Sequence, residues 1–272
     1  MSGPVRFTIA GAFGGAVEAV RRAPAMLGLL LLANIIVTAL LAWLEAGVLA
    51  GAGLGPWLGR QANGLGYVLV DSTLGTLVLA IAVAALSGRP ADLGEAARRM
   101  RQALPVVLPM AFLSAAVRFV AGATVYSPIS GGEMGFLFYG PVRMLETLVA
   151  ILIACTIGMA GFTAVTGGRR GAWGRSVALI VKARWRLVVI TLILAFTGEW
   201  ASDLGGALAS LVVPGERPGP LWDAVSQSVY TTWYVATVLL YAGTGHMLAR
   251  VHESRDADQL ADAFSSGGAG LR

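Results

Sequence analysis

Apolar residues in this chain fall into six blocks of roughly twenty, separated by short polar segments rich in arginine and glycine. The blocks are Ala25–Glu45, Gly66–Leu86, Pro105–Val125, Val142–Val165, Leu187–Leu208 and Leu221–Leu248. A helix rises about 1.5 Å per residue, so about 20 apolar residues match a hydrocarbon core about 30 Å thick. Lipid offers the backbone no hydrogen bonds, so spans of this length are expected to be helical. Segments of a β-barrel would be shorter and would alternate in polarity. The pattern therefore predicts an all-α fold: a polytopic bundle of six transmembrane helices, with residues 1–250 as one domain and 251–272 as a polar tail.

Three short amphipathic segments lie between the blocks, and each leads into a span. In Phe13–Arg22, Phe13, Val17 and Val20 share a helical face. In Ala91–Arg101 the face holds Leu93, Ala97 and Met100, and in Trp173–Arg186 it holds Trp173, Val177 and Ile180. Spacing of three and four residues gives an apolar stripe that can lie along a membrane surface, leaving arginine for the headgroups. The chain thus reads either as three repeats of interfacial helix, outward span and returning span (5–88, 89–168, 169–250) or as ordinary basic loops between six spans. The fifth connection, with Pro214, Gly215, Pro218, Gly219 and Pro220, reads as a turn. The tail is expected to continue the last helix and to end without structure around Ser265–Gly270.

Composition strengthens the membrane reading. Of 272 residues, 56% are hydrophobic and 13% charged, against about 25% charged in a soluble domain. The net charge of +5 does not point to nucleic acid, because no nucleic-acid-reading motif accompanies it. Its distribution is instead a topology signal. Sixteen basic residues fall in the N-terminal segment, the second and fourth connections and the tail; Arg60, Arg143 and Arg217 are the three on the opposite side. By the positive-inside rule both termini are expected in the cytoplasm. Nearly all the basic residues are arginine, with Lys182 the single lysine; with the Ala and Gly content this fits a GC-rich bacterial genome, and the expected location is the inner membrane. The run Ala25–Leu44 exceeds the 7–15 apolar residues of a cleaved signal and reads as a retained helix.

Charges inside spans are costly and mark candidate sites. Arg118, Glu146, Glu199 and Asp203 form a candidate intramembrane polar cluster in the outer half, with Glu199 and Asp203 one helical turn apart. Two readings stay open: a water-filled cavity facing outwards, or one structural ion pair with the carboxylates at the interface. Glu45, Asp71 and Asp223 lie close enough to span ends to reach headgroups. Arg21, Arg22, Arg98, Arg99, Arg184 and Arg186 are candidate contacts to anionic lipid headgroups, each favourable by about 1 kcal/mol. Trp43, Trp57, Tyr67, Tyr126, Tyr139, Trp200 and Trp222 read as an aromatic belt on the outer side. Ala154, Gly158 and Gly161 suit close helix packing. Cys155 reads as a small buried hydrophobe, and His246 as an interfacial polar group. The sequence Gly11-Ala12-Phe13-Gly14-Gly15 lacks the strand and the Gly-Lys-Ser/Thr of a phosphate loop. No nucleophile–base motif or metal-ligand spacing is legible, so no cofactor and no enzymatic activity are expected.

The segment from Ala172-Trp173-Gly174-Arg175-Ser176 to Lys182-Ala183-Arg184-Trp185-Arg186 resembles an Ala-x-x-Arg-Ser … Lys-Gly-x-Arg-Trp pattern. It occurs in uncharacterised bacterial six-span proteins related to the membrane domain attached to some glycerophosphodiester phosphodiesterases. The Gly88-Arg89-Pro90 turn fits the same group, whereas Tyr241-Ala242-Gly243-Thr244-Gly245 departs from its Tyr-x-Asp-x-Arg stretch. The resemblance implies a non-catalytic membrane domain, the phosphodiesterase chemistry residing in a separate soluble domain, and it assigns no functional residue. The function expected is that of an accessory or envelope-related membrane protein acting through partner or lipid contacts. The alternative is a transporter or lipid-handling protein with an outward-facing cavity around Arg118, Glu199 and Asp203.

Overall fold

A computed structural model describes residues 7–44, 56–125, 149, 152–153, 155–183, 185–213 and 220–267; the side chains of 56–63, 117–125, 199, 220 and 252–267 are outside that description. The regular structure among the described residues is all α-helix. In chain order the helices are α1 (Ile9–Arg22), α2 (Pro24–Leu44), α3 (Pro56–Leu86), α4 (Leu93–Val125), α5 (Cys155–Gly167), α6 (Ala172–Ala183), α7 (Trp185–Val212) and α8 (Pro220–Gly267).

Local chemistry sets several boundaries. Thr8 opens α1, its hydroxyl accepting from the Gly11 amide at 3.0 Å. Asp92 does the same for α4, accepting from the Glu95 amide at 2.8 Å, the usual role of a short polar side chain at a helix start. Gly88 ends α3 with φ 69°, a left-handed conformation that glycine adopts without a Cβ penalty. The Gly88 amide bonds Ala85 O and the Arg89 amide bonds Ala84 O, closing the carbonyl end of the helix as a Schellman turn. Gly168 ends α5 with the simpler left-handed cap, φ 75°, its amide bonding Ala164 O at 3.0 Å.

One element differs from the sequence reading. The segment Ala91–Arg101 is not a separate helix; from Leu93 it runs into the following span as one helix through Pro105 and Pro109. Each proline removes one backbone donor, a gap that membrane helices tolerate when neighbours or water satisfy the freed carbonyl. In the tail, α8 continues to Gly267, because Arg250 to Ala263 contains neither Gly nor Pro and is rich in good helix formers. Residues 214–219 and 268–272 lie outside the described residues.

Among the described residues three helices are long and apolar enough to cross a membrane: α2, the Gly64–Leu86 part of α3, and α7. Their polarity is arranged inside out. On α7 the exposed side chains include Val188, Leu192, Phe196, Trp200, Leu204, Leu208 and Leu211, whereas Thr191, Gly198, Gly205 and Ala209 are buried. On α2, Leu29, Leu32, Ile36, Leu40 and Trp43 are exposed while Asn34, Thr38 and Ala42 are buried. Leaving that much apolar surface in water costs roughly 25 cal/mol per Å²; a contiguous patch of such size marks a surface covered by something apolar.

Helix α8 is the axis of the bundle. Helices α1, α2, α3, α6 and α7 pack on it, and α5 does so through Tyr241 against Gly158 and Phe162 against Gly245. The α5 pairs advance together along both helices, so α5 and α8 are parallel. Against α7 the contacts Thr191–Tyr241, Gly198–Trp233 and Gly205–Ser226 run in opposite directions, so α7 is antiparallel to α8. A helix enclosed by protein needs no apolar surface. Accordingly α8 carries Gln227, Tyr230, Thr231, Tyr234 and Thr237 within the sixth apolar block. Its closest approach is to α1: a methyl group on Gly15 would lie 2.9 Å from Gly243 Cα, and one on Gly243 would lie 2.8 Å from Ala16 N. Small residues at such a crossing bring backbones together where dispersion, not the hydrophobic effect, holds helices in lipid.

Gly243→Ala should therefore lower stability by about 1–3 kcal/mol, the cost of overpacking a rigid contact. Gly28→Ala, with nothing within 4 Å of the added methyl, should leave thermal denaturation in detergent unchanged or raise its midpoint. Equal midpoints for Gly243→Ala and the parent protein would show that the α1–α8 contact is looser than described.

Candidate functional site

A cavity of about 960 Å³ lies among α3, α4, α5, α7 and α8, with Thr38 of α2 in its wall. It runs along α3 from Gly64 to Leu79 and along α8 from Ser226 to Tyr241. Each stretch is sixteen residues, about 22 Å of helix rise, so the two helices measure the same length. Helical spacing places Gln227, Tyr230, Thr231, Tyr234, Thr237 and Tyr241 on one side of α8, and Gly64, Tyr67, Asp71, Gly75 and Leu79 on one side of α3.

Hydrogen bonds set the register. The Tyr234 hydroxyl donates to the Asp71 carbonyl at 2.8 Å, and the Tyr234 ring lies over Gly75. Thr231 donates to Thr38 at 3.3 Å. At the Tyr241 end a buried chain joins three helices: Cys155 Sγ is 2.8 Å from Thr191 Oγ1, which is 3.0 Å from the Tyr241 hydroxyl and donates to Leu187 O. Thr76 and Thr237 donate to the carbonyls four residues before them. Their protons are thus satisfied within the helix, and their oxygens remain acceptors.

The sequence-predicted cluster is placed only in part. Glu146, the side chain of Arg118 and the side chain of Glu199 are outside the described residues. Asp203 is exposed on α7 and is not in the cavity wall, where its neighbour Ser202 stands. Asp71, read from the sequence as a span-end carboxylate, lines the cavity, as does Tyr67, read as part of an aromatic belt. Trp43 and Trp200 are exposed, as a belt requires. The indole of Trp222 instead donates to Ser210 at 3.2 Å. Cys155 is buried as expected, but in a hydrogen-bonded chain. Gly158 and Gly161 do serve close packing, against Tyr241 and against Leu79 and Val107 of this same chain. The signal that could have located the cavity was the polar stripe on the sixth apolar block, whose members recur every three or four residues.

The arginines at the other end of the bundle are more committed than the sequence implies. Arg22 donates to Ala85 O at 3.2 Å, at the carbonyl end of α3. Arg99 donates to Val165 O at 3.3 Å, at the end of α5. Arg175 donates to Thr163 O and Gly168 O, and Arg186 to Phe7 O at 2.6 Å. A cation at a helix C-terminus is favoured by the unpaired carbonyls and the helix dipole. Arg22 and Arg99 thus close helix ends, and Arg186 joins α7 to the segment before α1; Arg22 is also exposed, as a headgroup contact would be. Arg21 and Arg98 are exposed, Arg98 bonding Glu95, and Arg184 lies outside the described residues. Among the described residues no group of His, Cys, Asp and Glu could hold a metal ion.

Set against known protein families, curated proteins and solved structures, the chain matches none.

Hydrogen bonds from Arg99 and then Arg98 hold the Glu95 carboxyl below its ordinary pKa. Its contribution to stability is then complete above about pH 4.5, the unperturbed value, and is lost as pH falls through the lowered one. Glu95→Gln should remove this acid limb from a plot of thermal midpoint against pH and leave the neutral region nearly unchanged, since an exposed pair contributes little. An acid limb of undiminished size in the variant would assign it to other carboxylates.

Proposed function

We propose that this chain is a non-enzymatic, six-span protein of a bacterial inner membrane that holds an amphiphilic molecule in a cavity reached from the outer side of its helix bundle. The cavity of about 960 Å³ carries the reading. It is at the upper end of the range for small-molecule sites, about 300–1,000 Å³, and it combines hydroxyls and a carboxylate with apolar walls. Both termini, α1, α6 and the start of α4 are on the cytoplasmic side, where the arginine-rich segments collect. The Gly64 and Ser226 ends of α3 and α8 then face outwards, and the Tyr241 end lies about 22 Å deeper, past the middle of the membrane.

This favours the lipid-handling or transport class over a purely accessory protein. The accessory reading drew on small-residue helix faces available to a partner. Gly158, Gly161 and Gly205 are instead covered by this chain's own helices. The likeness to phosphodiesterase-linked membrane domains is compatible with the proposal, since it too implies a domain without catalytic residues. Anionic lipid remains the partner proposed for the exposed Arg21 and Arg98.

The test is cysteine protection in a Cys155→Ala background. Gln227→Cys at the outer end and Thr76→Cys deeper in should both react with a membrane-impermeant maleimide added outside intact spheroplasts. Gln227→Cys should react faster by tenfold or more, and a medium-chain alkyl glycoside should slow both. Labelling from the cytoplasmic side alone, or labelling indifferent to every amphiphile tried, would remove the proposal.

A further inference from the structure

A smaller groove, of about 190 Å³, lies at the arginine-rich end of the bundle, between the first turns of α4 and the end of α5. Glu95, Arg98, Arg99 and Gln102 form one wall, and Val165, Thr166 and Gly168 the other. We infer that this groove holds the headgroup of one anionic phospholipid of the cytoplasmic leaflet, a singly charged phosphodiester that carries hydroxyl groups, as phosphatidylglycerol does. The inference rests on the anionic-lipid partnership proposed above and gives it one site; it does not depend on the cavity.

The charges decide the sign of the ligand. Both oxygens of the Glu95 carboxylate are engaged, Oε1 by Arg99 Nε at 2.7 Å and Oε2 by Arg98. Arg99 also donates to Val165 O, and its side chain is only 18% exposed; its part is to hold the two walls together. Arg98 is 71% exposed. With one hydrogen given to Glu95, it turns the rest of its guanidinium fork to the groove, a geometry suited to phosphate oxygens. Gln102, exposed one turn further along α4, adds an amide. Two guanidinium groups against one carboxylate leave a surplus of one positive charge. The carbonyl end of α5 would by itself repel an anion, but it is covered. Val165 O accepts from Arg99, Thr163 O and Gly168 O from Arg175, and Ala164 O from the Gly168 amide.

A phosphodiester carries one negative charge and neutralises that surplus. A zwitterionic head would set an ammonium beside the same guanidinium groups. Hydroxyl groups on the head find acceptors in the Gln102 amide and in Thr166, whose own proton is given to Phe162 O. The groove is smaller than a small-molecule site, about 300–1,000 Å³. It therefore admits a head and leaves the acyl chains in the lipid beside the bundle, at the leaflet where arginine meets anionic lipid.

Three probes test the site: dioleoylphosphatidylglycerol, dioleoylphosphatidylethanolamine and the free headgroup glycerophosphoglycerol. The purified full chain, delipidated in amine-oxide micelles, is titrated with each, and adducts are counted by native mass spectrometry. The first phosphatidylglycerol should saturate at one per chain and bind at least tenfold more tightly than the other two probes. Arg98→Gln should weaken it at least fivefold. Arg101→Gln removes the same charge from an exposed position outside the groove and should change it less than twofold. Glu95→Gln doubles the surplus charge and should tighten it at least threefold. Thermal denaturation establishes that the variants are folded, and Gln102→Leu serves as a second groove variant if Arg98→Gln is not. Equal weakening by Arg98→Gln and Arg101→Gln would overturn the site while keeping anionic lipid as a partner held by diffuse charge. Free headgroup binding as tightly as the lipid would overturn the lipid as occupant. Equal affinity for both phospholipids, or no saturable adduct, would overturn the site and the anionic-lipid partnership together.

Discussion

Lipid supplies no hydrogen bonds, and the arrangement of this chain follows from that constraint. Each backbone group in the bilayer must be satisfied within its own helix, and side-chain hydroxyls face the same demand. Thr76, Thr191, Thr197, Ser210, Ser228, Thr237 and Thr244 each donate to a carbonyl one turn earlier. Polar residues that make longer-range bonds are turned inwards, onto α8 or from it. The apolar residues take the outside, so that α2 and α7 show leucine and aromatic rings where a soluble protein would show charge. With a greasy solvent there is little hydrophobic gain in bringing helices together, and association falls to close packing. That explains why α8 meets α1 backbone to backbone at Gly15 and Gly243, and why aromatic side chains of α8 pack against Gly75, Gly158 and Gly198.

The same constraint places the cavity. Aromatic and hydroxylated side chains along one side of α8 need a polar environment, and α3 answers with Tyr67, Asp71, Ser72 and Thr76. Two facing polar stripes that do not pack fully together leave a space that is wet or occupied by a ligand with polar groups. At the opposite end of the bundle the problem is reversed. Returning helices α3 and α5 end with bare carbonyls, and a glycine turn plus an arginine from the preceding or following amphipathic helix closes each. A glycine with positive φ and a nearby arginine thus recur at Gly88 and Gly168.

The ends of α2, α7 and the start of α8 fall within a few residues of the apolar blocks, because a helix packed by lipid on one side must be apolar over a length fixed by the bilayer. The cavity was far less legible. Asp71 sits near a block end and reads as a headgroup contact until the register of α3 against α8 places it beside Tyr234. Tyr67 fails in the same way, since an aromatic residue near a span end looks the same whether it faces lipid or protein. The carbonyl partners of Arg22, Arg99 and Arg186 were not legible either, because they are more than sixty residues away in sequence. In each case the missing information is the angular position of one helix relative to another, which periodicity along a single helix does not contain.

The inside-out arrangement is tested most directly by a nitroxide scan of α7 in reconstituted bilayers, residue by residue from Ile190 to Leu208, read by relaxation with oxygen and with a water-soluble nickel chelate. Labels at Leu192, Phe196 and Leu204 should show high oxygen and low nickel accessibility, and those at Ile190, Leu194 and Gly205 low accessibility to both, giving a period near 3.6 residues. High nickel accessibility on the Leu192–Phe196–Leu204 face would place that face in water and contradict the account.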